Sequence, residues 1–245
     1  MMRNPLQLIR SALFIAQMYA AMVLMGLVYA PLVLVRRDLA VTACRSYSRY
    51  VRWSAAWMVG LRSEIRGEVP TGPVLVAAKH QSFFDILILF SVLPQPRFVM
   101  KSELTRAPIF GWFALQAGCI PVERGKGGAA IKAMLARVAD GTDAPGQLVI
   151  YPQGTRVAPG AHKPYKQGTA ALYAQLGQPC VPAATNVGVF WPRHGLYRKP
   201  GVAVVEFLPA IPPGAPLRDF MSSIEQVIEI NSNRLMAEAG HPPKA

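Results

Sequence analysis

Carboxylates are scarce in this chain. Only 13 Asp and Glu face 26 Lys and Arg over 245 residues, a formal net charge of +13, while charged residues of both signs make up 16% against 52% hydrophobic. A surplus of that size draws anionic partners such as nucleic acid, anionic lipid or phosphorylated substrates. Nucleic-acid binders of such charge are charge-rich throughout, so the low charged fraction speaks against nucleic acid and makes lipid the leading partner. Length and apolar content provide core material for one large domain, or a domain with an appendage, and exclude a disordered chain.

Cysteine is equally sparse. Cys44, Cys119 and Cys180 are odd in number, widely spaced and without a C-x-x-C pair, so neither a disulfide framework nor a zinc knuckle is expected, and a reducing, cytoplasm-facing compartment fits. There is no G-x-S-x-G, hence no serine nucleophile elbow. Gly125 to Ala130 match a dinucleotide-type glycine pattern but lack a clearly placed acidic partner further on, and Gly127 after Lys126 excludes a P-loop.

What is present begins with a long apolar run. Ser11 to Val35 are 25 residues without a charge; as a helix rising about 1.5 Å per residue they reach roughly 37 Å, enough to cross a hydrocarbon core. A signal peptide would have a shorter core and a small-residue cleavage site. A second helix is expected over Leu39 to Gly60, with Arg45, Arg49 and Arg52 on one face and Tyr50, Trp53 and Trp57 beside them. Cations next to amphipathic rings suit a helix at a phospholipid headgroup layer, although a helix packed on the domain with a solvated basic face has the same pattern. The arginines after the run place the rest of the chain on the cytoplasmic side of the inner membrane. Arg3 and Arg10 at its other end favour a helical hairpin entering from one side over a simple span, and the residues leave the two open.

From Leu61 onward, short β-rich runs (73–79, 97–101, 118–124, 147–152, 180–188 and 201–207) alternate with helical stretches (83–93, 108–116, 127–139, 168–176 and 217–238). The expected fold is therefore α/β, a mixed and largely parallel central sheet flanked by helices over 61–245, preceded by a two-helix membrane-associating module over 1–60.

Open α/β sheets carry ligand groups where strands end. At the first such end stands "KHQSFFD", Lys79 to Asp85. On one continuous helix His80 and Asp85 would diverge by about 140° around the axis. If the helix starts near Ser82, where Ser82 and Asp85 form a capping-box pattern, His80 lies in the preceding loop and its ring can meet the carboxylate. A carboxylate on one ring nitrogen leaves the other as a base, and with no nucleophile in sight the base is expected to activate a substrate hydroxyl. "GCIPVERG" delivers Arg124 at a strand end, "YPQGTR" sets Gly154, Thr155 and Arg156 in a turn suited to phosphate or an oxyanion, and "VPAATN" reads as a buried strand.

Taken in order, these four segments resemble the motifs of the 1-acylglycerol-3-phosphate acyltransferase family, bacterial type, over roughly residues 70 to 190. The resemblance implies that His80 is the general base, Asp85 its orienter, Arg124 with Gly154, Thr155 and Arg156 the headgroup site, and Lys101 an additional basic contact. It implies transfer of a fatty acyl chain from acyl carrier protein or coenzyme A to the sn-2 hydroxyl of lysophosphatidic acid, giving phosphatidic acid, with no acyl-enzyme and no metal or redox cofactor. Lys79 stands where many members have Asn, and Gln153 where the third motif usually has Glu. Another lysolipid acceptor, a lysophospholipid or lyso-ornithine lipid, therefore remains an alternative, as does a non-catalytic basic lipid-binding protein or a lipid hydrolase.

Overall fold

The structure is a computed structural model that describes residues 4–123, 127–139 and 146–242. Helix α1 (Pro5–Val35) starts where Asn4 accepts hydrogen bonds from the backbone of Leu6 and Gln7, with Pro5 in the first turn, where its missing N–H is no loss. Helix α2 (Leu39–Val59) runs back beside it and ends at Gly60, whose φ of 70° is the left-handed cap that glycine adopts cheaply. The α1 helix is long and apolar enough to cross a membrane and leaves Leu13, Leu24, Leu27, Val28 and Val35 exposed.

Seven strands then form one sheet: β1 (Leu61–Arg66), β2 (Val74–Ala78), β3 (Pro96–Lys101), β4 (Ile120–Val122), β5 (Gln147–Ile150), β6 (Cys180–Thr185) and β7 (Gly201–Phe207), in the order β1-β7-β6-β2-β5-β3-β4. Every neighbouring pair is parallel except β6 with β7. The mixed, largely parallel α/β expectation therefore holds. The helices α3 (Phe84–Val92), α4 (Phe110–Gln116), α5 (Gly127–Ala139), α6 (Gly168–Leu176) and α8 (Leu217–Glu238) fall where expected to within three residues.

One expectation is shortened and one element was missed. The 180–188 run stops as a strand at Thr185 and turns into the short helix α7 (Val187–Phe190). The cause is Asn186, whose side chain accepts from Val204 N–H and donates to the Leu235 carbonyl, while Thr185 Oγ1 caps Val187 N–H. Strand β1 was not foreseen: its "LRSEIR" alternates charge with apolar residues and reads as polar, yet suits an edge strand paired only with β7.

The pleat sorts the core. Val76, Val149 and Val181 face one side, where they pack with α1 to α4 through Phe14, Met18, Val51 and Phe84. Leu75, Ala77, Leu148 and Ile150 face the other, where they meet α5, α6 and α8 through Met134, Leu172 and Ile224. Because β6, β2, β5 and β3 are parallel neighbours, their C-terminal ends lie side by side, and His80, Tyr151 and Lys101 at those ends converge there.

Candidate active site

Beyond Ala78 the alternation continues: Lys79 turns toward α8 and His80 toward α3, where Asp85 occupies the first turn. Asp85 Oδ1 lies 2.9 Å from His80 Nδ1, and its Oδ2 accepts from the backbone N–H groups of Gln81 and Ser82 at 2.8 Å each. Ser82 Oγ accepts from Phe84 N–H at 3.1 Å. One carboxylate thus caps the helix start and orients the ring, a different oxygen for each task. At 1% exposure such a group requires this number of donors to remain in the interior. With Nδ1 bound to Asp85, the histidine offers Nε2 as its base nitrogen.

Tyr151, the first residue after β5, stacks on the His80 ring with centroids 3.9 Å apart and donates its hydroxyl to Asp85 Oδ1 at 3.3 Å. Burial, and then the Asp85 charge, push its phenol well above the usual value, so it stays a neutral donor. The next turn closes through Gly154 N–H to the Tyr151 carbonyl at 2.8 Å, with Pro152 second and Gly154, φ 66°, fourth. Val157 N–H donates to the His80 carbonyl at 2.8 Å and ties this turn to the His80 loop. Gly154, Thr155 and Arg156 are half-buried in it. Burial and the neighbouring Arg193 lower the Arg156 pKa while Asp85 opposes them, and Arg193 donates to the Arg156 carbonyl at 3.3 Å. Nothing in the sequence pattern pointed to Arg193.

An apolar cavity opens from this point between α1, α2, α3, α4 and β3, with His80, Tyr151 and Lys101 among its polar wall groups and Met22, Gly26, Leu87 and Phe113 among its apolar ones. Lys101, the last residue of β3, is 2.8 Å from Glu103, and its hydrogen bond holds the Glu103 carboxyl down to about 2. Arg124 lies outside the described residues. Gln153 turns away from the cavity and donates to the Lys163 carbonyl at 3.1 Å.

On α2, Trp53 and Trp57 are exposed and stacked, centroids 6.1 Å apart, and Arg49 is exposed. Arg45 and Arg52, expected with Arg49 to face phospholipid headgroups, are half-buried. Arg45 donates to the Leu93 and Pro94 carbonyls at the end of α3, and Arg52 to Ser63 and Ser91. Arg45 meets carbonyls that lack a helical partner and Arg52 meets two serine hydroxyls, so these two arginines bind the helix to the body.

The Acyltransferase family model matches residues 61–186, which include the whole His80, Asp85 and 151–156 arrangement. The chain belongs to the Acyltransferase family. Its similar proteins include the 1-acyl-sn-glycerol-3-phosphate acyltransferase of Pseudomonas aeruginosa, 32% identical over 68% of this chain and 66% of that one. The lyso-ornithine lipid O-acyltransferase of the same organism is 34% identical over 42% of this chain and 40% of its own length. The chain spans about two thirds or less of the length of these relatives. In fold it is similar to the crystal structure of the 1-acyl-sn-glycerophosphate acyltransferase of Thermotoga maritima, with a TM-score of 0.76 at 17% identity over 94% of this chain and 98% of that one.

Proposed function

We propose that this protein transfers a fatty acyl chain from an acyl thioester, carried on acyl carrier protein or coenzyme A, to the sn-2 hydroxyl of lysophosphatidic acid. The observation that carries the reading is the His80 to Asp85 contact on an apolar cavity that Lys101 also lines, with the turn carrying Arg156 tied to the His80 loop. An acyl chain fits the apolar wall, a phosphate fits the basic side, and the base lies between them.

In the proposed reaction His80 Nε2 takes the proton of the acceptor hydroxyl as its oxygen attacks the thioester carbonyl. Asp85 holds the ring and stabilises the imidazolium. Collapse of the tetrahedral adduct breaks the carbon–sulfur bond, and the thiolate takes the proton back from His80, leaving phosphatidic acid and a free thiol. A thioester lies uphill of an ester, so positioning and proton transfer suffice, with no metal or redox group. The exposed apolar face of α1 and the Trp53 and Trp57 pair support a membrane location, with the catalytic part on the cytoplasmic side of the inner membrane.

A second acceptor class is favoured by one observation: part of the chain is 34% identical to a lyso-ornithine lipid O-acyltransferase, which supports a lysolipid other than a lysophosphatidate. The test offers the purified protein each donor with lysophosphatidic acid, other lysophospholipids and lyso-ornithine lipid, and identifies the products by mass. Phosphatidic acid from wild type and its loss in His80→Ala, with vesicle binding unchanged, is the expected result. Activity retained in His80→Ala, or no acylation of any lysolipid by folded protein, overturns the reading. Fatty-acid release without an acceptor would make the protein a hydrolase.

A further inference from the structure

Behind the site, on the α8 side of the sheet, Glu229 collects three segments that are far apart in the chain. Lys79, 3% exposed, donates to both Glu229 oxygens at 2.6 and 2.7 Å. Tyr165 donates its hydroxyl to Oε1 at 3.0 Å, and Gln153 Nε2 approaches the same oxygen at 3.4 Å. Lys79 is the residue before His80, and Gln153 lies within the turn that leads to Arg156. Tyr165 precedes Lys166, whose N–H donates to the Pro152 carbonyl at 2.9 Å in that same turn. Burial and the Glu229 charge raise the Tyr165 phenol, which keeps it a donor.

We propose that Glu229, with Lys79, Gln153 and Tyr165, is a positioning unit that sets the spacing between the strand end carrying His80 and the turn carrying Arg156. The inference rests on the acyl-transfer reading and deepens it. A buried ammonium at position 79 requires a counter-charge. The only carboxylate that an ion pair gives it among the described residues comes from α8 rather than from the turn. The two departures from the motif pattern, Lys79 for Asn and Gln153 for Glu, are then one exchange: the carboxylate reaches the turn from position 229 instead of 153, and Lys79 neutralises it. None of the four lines the cavity, so they act through His80 and the turn and not on substrate.

The experiment is steady-state kinetics of the full chain in detergent, well below each variant's melting temperature, with wild type and His80→Ala as references. Glu229→Gln is expected to lower kcat at least tenfold with KM for the lysolipid within about threefold, because a displaced base slows the chemical step more than it weakens binding. Tyr165→Phe, which removes one hydroxyl and leaves the ion pair, is expected to lower kcat two- to fivefold. The decisive variant is Gln153→Glu combined with Glu229→Gln, which moves the carboxylate across the same contact and keeps the net charge. Recovery of kcat to within about threefold of wild type is expected. Unchanged kcat in Glu229→Gln, or a double variant no better than the product of its single variants, overturns the proposal. If Glu229→Gln does not fold, Tyr165→Phe and the double variant decide alone. Failure of the acyl-transfer reading is separately visible, since wild type and His80→Ala would then give the same product yield.

Discussion

His80 and Tyr151 lie face to face, 17° from parallel, and the same Asp85 oxygen binds both the imidazole Nδ1 and the phenol hydroxyl. Tyr151→Phe keeps the stack and removes the hydroxyl. The lost bond goes to a charged acceptor but is long at 3.3 Å, so it contributes about 1 kcal/mol, and kcat is expected to fall about fivefold. Because burial and Asp85 hold the phenol far above its usual value, the pH–rate profile will keep its shape. A profile that changes shape in the phenylalanine variant would show that Tyr151 itself exchanges a proton.

Asp85→Asn separates the carboxylate's two tasks. The amide oxygen still accepts from Gln81 and Ser82, as Oδ2 does now, but the remaining NH₂ cannot accept from His80 Nδ1. Activity is expected to fall about 10³-fold, while the melting temperature drops only as far as about 1–2 kcal/mol allows. Asp85→Ala removes both tasks and will lose more stability at the same low activity. Calorimetry beside initial rates distinguishes the two.

The legible parts of this protein were those written locally. Strands β2, β3 and β5 announced themselves as apolar runs before turn residues. The His80 to Asp85 meeting followed from a five-residue spacing that works only across a loop-to-helix junction. Strand β1 escaped because its alternating charges resemble a solvated segment, and its pairing partner β7 lies 140 residues further along. Val187 and Gly188 read as the end of a strand and are instead the start of α7, a choice made by the partners of Thr185 and Asn186 on β7 and α8. Glu229 was illegible for the same reason. It is one of several acidic residues on an amphipathic helix, and only the packing of α8 brings it to Lys79, 150 positions away.

On the proposed reading, in which Lys101 meets the acceptor phosphate, Glu103 competes with substrate for it. The pair is exposed, so its attraction is screened and small. Glu103→Gln is expected to lower KM for a phosphate-bearing lysolipid about two- to threefold without changing kcat, since Lys101 then has only the phosphate to meet. The sign of the pH dependence comes from the lowered carboxyl: the pair is intact above the ordinary carboxylate range and is lost only as pH falls through about 2. The advantage of the variant is therefore expected to be flat from about pH 6 to 8. A ratio that varied across that window would point to a different partner for Lys101.

The α1 and α2 hairpin is held to the body at both ends. Near its base Gln7 donates to the Arg198 carbonyl and Ser11 Oγ accepts from Arg198 N–H, while Gln7 to Val59 and Arg10 to Met58 join α1 to α2. At its far end Arg37 donates to the carbonyls of Leu115 and Gln116 beside α4. A helix pinned along the domain in this way cannot project through a bilayer without carrying the domain with it, so α1 is expected to lie within one leaflet. Anchoring then depends on side chains at the boundary, above all the exposed Trp53 and Trp57. Replacing both with Ala is expected to weaken partitioning onto anionic vesicles at least tenfold, because each indole withdrawn from the interface forfeits more than about 1 kcal/mol. A spanning α1 would make the same double variant sediment with vesicles as wild type does. In that case a cysteine placed at Leu34 would react with a membrane-impermeant maleimide from the side opposite His80, rather than from the same side.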